Sequence, residues 1–247
     1  MSWHVGVDEA GRGPVLGPLI VGVCAIPEGD LALLREQGVR DSKDLSPKKR
    51  RELEAWFNEQ SEKRRWFGGV ITLSAERIDL AMQNTSLNLL EVEGFQEAML
   101  LLPHRADVSV MADACDVNSE RFAHRIMDGL PNWPWPKSTL RAEHKADEQH
   151  PVVSMASILA KEARDRAVSA IEERLGFAIG SGYPSDPATQ RALPDLCPQT
   201  GLDVDLRWGW ATVKRFWETN RAGDVPVRGK PLTVQRTLFD DTRPRIT

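Results

Sequence analysis

The chain has 247 residues, a formal net charge of −4, 41% hydrophobic residues and 28% charged residues. These values are ordinary for a globular protein with one large domain, or one domain and a small appendage. Three widely spaced cysteines exclude a disulfide framework and favour a reducing cytoplasm. The longest uncharged apolar stretch, residues 15–27, is too short to span a bilayer, so we expect no membrane segment.

The distribution of charge is more informative than the total. An acidic balance does not by itself indicate a nucleic-acid partner. However, residues 40–65 contain nine Lys or Arg against six Asp or Glu, and residues 221–236 contain four basic residues against one acid. These two segments are therefore candidates for local contact with a polyanion.

The first predicted elements are two strands that form a hairpin. An apolar run at residues 4–7 ends in the adjacent carboxylates Asp8 and Glu9, and a second apolar run covers residues 19–26. Successive strand residues point to opposite faces, so the two carboxylates can share a site only if the strand ends or bulges there. The hairpin thus predicts a polar site at its tip.

Gly11, Arg12 and Gly13 form the predicted turn of this hairpin. Glycines accept backbone angles that other residues avoid, and they let a ligand approach the chain closely. The arginine offers a planar donor fork suited to phosphate. A charged turn is common in proteins, but metal-binding carboxylates beside phosphate-binding donors indicate metal-assisted phosphoryl chemistry.

The rest of the chain alternates strands and helices, which predicts an α/β protein with a mixed sheet flanked by helices. Ser46 and Pro47 start the first predicted helix, and Gly176 ends the longest one. The loop between Pro131 and Pro136 is predicted to be either structural or a lip of a binding groove. Further strands are predicted at residues 64–73, 107–111 and 138–142, and helices at 47–60, 86–102, 118–126, 151–175, 188–196 and 205–220, with a short helix capped by Ser74.

Two further acids, Asp113 and Asp147, follow predicted strands. The end of a strand is where open α/β sheets place their sites. Taken alone, Asp113 is more simply a turn or capping residue, its neighbour Asp116 is an alternative, and Asp147 is more simply an exposed charge. Carboxylates are nevertheless the ligands that hard divalent cations such as Mg²⁺ prefer.

The segment Asp8-Glu9-Ala10-Gly11-Arg12-Gly13-Pro14 resembles the signature of ribonuclease HII, the type 2 ribonuclease H family. Ribonuclease HIII has a related opening, but typically has lysine in place of Arg12 and an additional N-terminal domain, for which we expect no room. The resemblance covers about residues 3–218 and is closer to the archaeal branch. It also includes Asp41-Ser42-Lys43, His144-Lys145-Ala146-Asp147, residues 151–161 and Gly182-Tyr183-Pro184-Ser185-Asp186.

This resemblance implies a ribonuclease H-like fold with a small C-terminal helical extension. It implies a cytoplasmic endonuclease, acting in DNA replication and ribonucleotide excision repair, that hydrolyses the RNA strand of RNA–DNA hybrids. The enzyme would also cut 5′ of single ribonucleotides in duplex DNA, leaving 3′-hydroxyl and 5′-phosphate ends. Asp8, Glu9, Asp113 and Asp147 would be the catalytic residues and would hold two Mg²⁺ or Mn²⁺ ions, with Asp8 bridging both.

The resemblance also assigns contacts with the nucleic acid. Backbone groups of Gly11, Arg12 and Gly13 would contact the 2′-hydroxyl, and Lys43 would face a phosphate. Tyr183 would stack on the sugar just 3′ of the ribonucleotide. Three segments are expected: a catalytic domain at 1–176, a helical substrate-binding extension at 177–222, and a flexible tail at 223–247.

The tail contains Gln235, Leu238 and Phe239, which resemble the short peptide that docks bacterial replication proteins on the sliding clamp. The clamp-binding box of archaeal and eukaryotic proteins fits less well, because Asp241 and Thr242 stand where it has aromatic residues. A flexible linker would present two apolar side chains to a groove, while the glutamine fixes the register. The alternative is that Leu238 and Phe239 fold back onto the body of the protein.

The resemblance favours a monomeric ribonuclease HII, and two other functions are alternatives. A junction resolvase on the same fold would leave the glycine turn and Tyr183 without a ribose to sense. A binding module that has lost catalysis would lack at least one acid, and all four are present. Agreement of several separated motifs is stronger support than likeness of fold alone.

Overall fold

A single mixed sheet organises the protein, whose computed structural model describes residues 2–229. The strand order is β3-β2-β1-β4-β5. The first three strands of the chain pair antiparallel, whereas β1, β4 and β5 are parallel neighbours. The predicted α/β class and mixed sheet are confirmed. The strands are β1 (Trp3–Ala10), β2 (Leu19–Pro27), β3 (Phe67–Leu73), β4 (Val108–Asp113) and β5 (Thr139–Glu143).

Helices cover both faces of the sheet. Ser46, Ser74, Ser86 and Asn118 start four of them, each with a side-chain oxygen that accepts from a backbone N–H of the first turn. The helices are α1 (Leu31–Glu36), α2 (Pro47–Arg64), α3 (Ala75–Met82), α4 (Leu87–Leu100), α5 (Ser119–Gly129), α6 (Ala146–Gln149), α7 (Pro151–Leu175), α8 (Pro187–Leu196) and α9 (Ala211–Asn220).

The long helix α7 lies directly against β1. A Cβ atom on Gly6 would be 2.2 Å from the backbone of Val152 in α7, so only glycine allows this approach. The opposite face of the sheet is covered by α4 and α5, where Phe95 and Phe122 meet edge to face. Both faces of the sheet are therefore buried.

Several boundaries differ from the predictions. Arg65 adopts a left-handed conformation that ends α2, so β3 begins at Phe67 and not at residue 64. The last helix begins at Ala211 because residues 203–210 form turns that pack against the segment after β1. The sequence did not predict the short helices α1 and α6.

The helical extension has its own apolar core, which joins α8 and α9 to the end of α7 and to Val15 and Leu16. Residues 223–229 were predicted to begin a flexible tail, but Arg228 is buried against the body and pairs with Asp79 at 2.8 Å. The clamp-like residues Gln235, Leu238 and Phe239 lie outside the described residues. Within residues 2–229, no helix combines the length and apolarity needed to cross a membrane.

Candidate active site

Four carboxylates meet at one edge of the sheet. Asp8 and Glu9 lie near the end of β1, Asp113 is the last residue of β4, and Asp147 lies in α6 just after β5. Because these three strands are parallel, their carboxyl ends share an edge. A cavity of about 230 Å³ lies at that edge, and all four side chains line it.

Asp8 and Glu9 reach the cavity from opposite faces of β1. The pairing with β2 continues through both residues, so the predicted strand end or bulge is absent. Asp8 lies on the face that packs against α7, where Ser157 hydrogen-bonds with it, whereas Glu9 lies beside Glu91 of α4. Both side chains can line one cavity because β4 pairs with β1 only as far as Val7.

Burial, together with the crowding of the carboxylates, raises the pKa of three of them. Burial, followed by the charge of Asp113, raises the pKa of Asp8 to about 7. Burial and the charge of Asp8 raise the pKa of Glu9 well above its ordinary value. The pKa of Asp113 is also raised, first by burial and then by Asp147, although a backbone N–H opposes the shift. Such a cluster favours protonation or a bound cation.

The donor set fits a hard divalent cation. Glu9 Oε2 and Asp147 Oδ1 are buried without a hydrogen-bond partner. Other carboxylate oxygens are held within the protein, since Asp113 Oδ1 accepts from the N–H of Ala146 at 2.7 Å and Lys43 donates to Asp147 at 3.2 Å. As they stand, no three Asp, Glu, His or Cys side chains within residues 2–229 form a set that could hold an ion. The chemistry fits because all donors are oxygens and two of those oxygens are buried without a hydrogen-bond partner.

Basic and hydroxyl side chains line the same cavity. Lys43, Lys161 and Arg164 approach the acids, and Lys161 donates to Ser42 Oγ, which shares a 2.9 Å hydrogen bond with Ser157. Burial lowers the pKa of Lys161. The sequence predicted a role for Lys43 but not for Lys161 and Arg164. Both of these lie on α7, whose many small residues indicate close packing against the sheet.

The glycine turn borders the acids, and its arginine has partners within the protein. Gly11 has φ of +90°, and a Cβ there would lie 2.5 Å from the side chain of Arg164. The Arg12 guanidinium donates to Glu91, which is fully buried, and to Asn88 at 2.7 Å. Two of its donors therefore bind α4, and a contact between this side chain and phosphate stays a prediction.

Tyr183 completes the rim of the cavity. Its ring is 42% exposed, lies next to Gly13, and is 5.9 Å from the guanidinium carbon of Arg164. Hydrogen bonds from Ser181 and from the start of α8 lower the pKa of Asp186 to about 2 and hold this loop to the helix. The predicted nucleic-acid contacts Gly11, Arg12, Lys43 and Tyr183 thus line one cavity with the four acids.

Two supporting residues had little signal in the sequence. Glu91 lies four positions after Leu87 and one after the buried Leu90 in α4, and an acid among apolar residues was the available clue. Arg207 is fully buried among backbone carbonyls and lies in no recognisable motif. Of the two readings of the 131–136 loop, the structure favours the structural one, since Trp133 and Trp135 pack against the core and do not line the cavity.

Comparison with known proteins gives consistent matches over most of the chain. The sequence model described as Ribonuclease HII matches residues 5–213. The ribonuclease HII of Thermococcus kodakarensis is 42% identical over 218 residues, which cover 86% of this chain and 89% of that protein. The crystal structure of ribonuclease H2 from Pyrococcus horikoshii is 37% identical with a TM-score of 0.75, covering 88% of this chain and 98% of that one.

A third match is the Archaeoglobus fulgidus ribonuclease HII solved in complex with PCNA, 35% identical with a TM-score of 0.70. It covers 84% of this chain and 94% of that one. The mixed five-stranded sheet and these structural matches define a nuclease with the ribonuclease H-like fold. The chain belongs to the ribonuclease HII family and is a ribonuclease H, an endonuclease. The resemblance to archaeal members is confirmed.

Proposed function

We propose that the protein hydrolyses the RNA strand of RNA–DNA hybrids and cuts duplex DNA 5′ of a single embedded ribonucleotide, leaving 3′-hydroxyl and 5′-phosphate ends. One observation carries this proposal: the four carboxylates share a cavity with the glycine turn and Tyr183. An enzyme that selects RNA must sense the 2′-hydroxyl next to the bond that it cuts. The groups suited to sensing the 2′-hydroxyl therefore lie beside the carboxylates suited to phosphodiester hydrolysis.

Asp8, Glu9, Asp113 and Asp147 would hold the divalent ions, which we propose to be two Mg²⁺ or Mn²⁺. Bound divalent ions lower the pKa of water and stabilise a leaving oxyanion. The buried, unpartnered oxygens of Glu9 and Asp147 support this assignment. The raised pKa of Asp8 supports it too, because an added positive charge would offset the burial and the repulsion that raise it.

The protein's own residues bind and orient the substrate. Lys43, which is largely exposed beside Asp147, would take a backbone phosphate. The backbone of the turn from Gly11 to Gly13 would meet the 2′-hydroxyl, and the exposed ring of Tyr183 would stack on the next sugar. The Arg12 side chain would support the turn through α4 and would leave phosphate binding to Lys43.

A junction resolvase is the alternative, and substrate choice separates the two functions. The test incubates the protein and Asp8→Asn with Mg²⁺ and three substrates: an RNA–DNA hybrid, a duplex with one ribonucleotide, and an all-DNA four-way junction. We expect cutting of the first two by the parent and none by the variant. Cutting of the junction with the ribonucleotide duplex left intact would support the resolvase.

We also propose that Gln235, Leu238 and Phe239 dock the protein on a replication sliding clamp. Support comes from the peptide's resemblance to clamp-binding motifs and from the Archaeoglobus fulgidus relative, which was solved with PCNA. Calorimetric titration against the source organism's clamp tests this proposal, with Leu238→Ala and Phe239→Ala combined as the control. Binding that survives the double substitution, or no binding by the parent, would count against it.

A further inference from the structure

A buried arginine of the extension binds the carbonyl side of the glycine turn. Arg207 has no exposed surface, and its guanidinium donates three hydrogen bonds to backbone oxygens. Nε donates to Gly17 O at 3.0 Å, Nη1 to Arg12 O at 2.8 Å and Nη2 to Gly11 O at 2.5 Å. A single side chain therefore fixes the orientation of two successive peptide planes in the turn.

The orientation of these peptides determines which way their N–H groups point. The peptide bonds after Gly11 and Arg12 are trans, so each N–H points away from the carbonyl of the same plane. The N–H groups of Arg12 and Gly13 thus face away from Arg207. Gly11 and Arg12 line the cavity, whereas Arg207 does not. The two N–H groups therefore point away from the helical extension, toward the side on which the cavity lies.

A second arginine, from the C-terminal segment, holds the Arg207 segment in place. Asp79 of α3 accepts from the backbone N–H of Trp208 at 2.8 Å and of Gly209 at 2.9 Å. Arg228 donates to the same carboxylate at 2.8 Å, and its guanidinium carbon lies 4.4 Å from the centre of the Trp208 ring. The chain immediately after Arg207 is therefore fixed by a buried ion pair with the C-terminal segment.

We infer that Arg207 is a positioning residue for ribose recognition: it holds the carbonyls of the glycine turn so that the N–H groups of Arg12 and Gly13 face the substrate's 2′-hydroxyl. Arg228 acts behind it through Asp79. This inference deepens the proposed function and rests on it. A guanidinium suits the task because its rigid planar fork presents several donors at once, whereas lysine concentrates its donors at one point.

Arg207→Met and Arg207→Lys test this role, with Arg221→Lys as the matched control. Arg221 also binds backbone carbonyls, those of Pro194, Cys197 and Asn220, but it lies within the helical extension, away from the turn. The readout is the ratio of dissociation constants for a duplex with one ribonucleotide and the same duplex in all-DNA form, measured with a chelator present. Loss of folded protein alone reduces the active fraction and leaves this ratio unchanged.

We expect the binding preference for the ribonucleotide to fall at least tenfold in Arg207→Met and less in Arg207→Lys, while Arg221→Lys keeps it. Arg228→Ala should lower the binding preference by a smaller factor. This variant provides the test if Arg207→Met does not fold. The inference would be overturned if both Arg207→Lys and Arg228→Ala kept a binding preference within twofold of the parent. It would also be overturned if Arg221→Lys lost the preference as much as the Arg207 variants, or if the parent showed no preference. A parent that binds selectively but cuts neither substrate would contradict the proposed function alone.

Discussion

Lys43 donates from Nζ to Asp147 Oδ2 at 3.2 Å, joining a largely exposed cation to a carboxylate that is 2% exposed. Burial is the largest single influence and lowers the pKa of Lys43, but the hydrogen bond with Asp147 and the charges of Asp147, Asp41 and Asp8 together outweigh it and raise that pKa. The ammonium is therefore charged at neutral pH. A divalent cation would compete with it for Asp147, and a substrate phosphate would offer it a new partner.

Replacing Lys43 by Met should weaken duplex binding and reduce its dependence on salt. The slope of log binding constant against log salt concentration should become shallower by about 0.9, because one phosphate contact is lost. Lys63→Met is the control, since Lys63 pairs with Glu59 near the end of α2, outside the cavity. An unchanged slope in Lys43→Met would remove this lysine from the phosphate contacts.

Asp8→Asn should reduce turnover at least about a hundredfold, as the loss of a preorganised charge does in other active sites.

The same substitution should stabilise the metal-free protein. The pKa of Asp8 is about 7 in the folded protein and has an ordinary value of 3.8, so ionisation of Asp8 costs stability as pH rises through that window. Above pH 7 the variant should melt a few degrees higher, at about 2–4 °C per kcal/mol.

Melting curves from pH 5 to pH 8 in chelator check this linkage. The difference in melting temperature between Asp8→Asn and the parent should grow as pH rises. Asp128→Asn, at an exposed position on α5, controls for the loss of one negative charge. A difference that stays constant with pH would show that Asp8 is not destabilised by ionisation.

The resemblance to the ribonuclease HII motifs selected Asp113 and Asp147, which taken alone had simpler interpretations. The topology explains why they meet, because the carboxyl ends of parallel strands share one edge, and the structure brings both to the cavity with Asp8. Long-range partners could not be predicted. The Arg12 fork binds Glu91, 79 residues away, and Arg207 binds Arg12 O across 195 residues, so neither pair has a local pattern.

Tyr183→Ala should slow cutting at a single ribonucleotide by about 5- to 150-fold, equivalent to ~1–3 kcal/mol if sugar stacking resembles base stacking. Tyr183→Phe keeps the ring and should retain most of the rate. Single-turnover kinetics on the ribonucleotide duplex compares the two variants. Equal loss in both would assign the effect to the hydroxyl group, and no loss in either would exclude a contact at this position.

Gly11→Ala should disturb the turn directly. Its φ of +90° disfavours a side chain, and the new Cβ would meet Arg164 at 2.5 Å, so a cost of about 1–3 kcal/mol is expected. Gly29→Ala is the control, because nothing lies within 4 Å of a Cβ there. Denaturant unfolding together with activity should show a loss of both at position 11 and little change at position 29.

We propose that water, and not the 2′-hydroxyl of the substrate, attacks the phosphorus beside this cluster of acids. The chemical nature of the ends of the cut strand distinguishes the two nucleophiles. A duplex with one ribonucleotide is cut with Mg²⁺, and the products are incubated with a polymerase and with a ligase. Attack by water should give an extendable 3′-hydroxyl and a ligatable 5′-phosphate, with the ribonucleotide on the 5′-phosphate fragment. A 2′,3′-cyclic phosphate and a 5′-hydroxyl would show that the 2′-hydroxyl is the nucleophile.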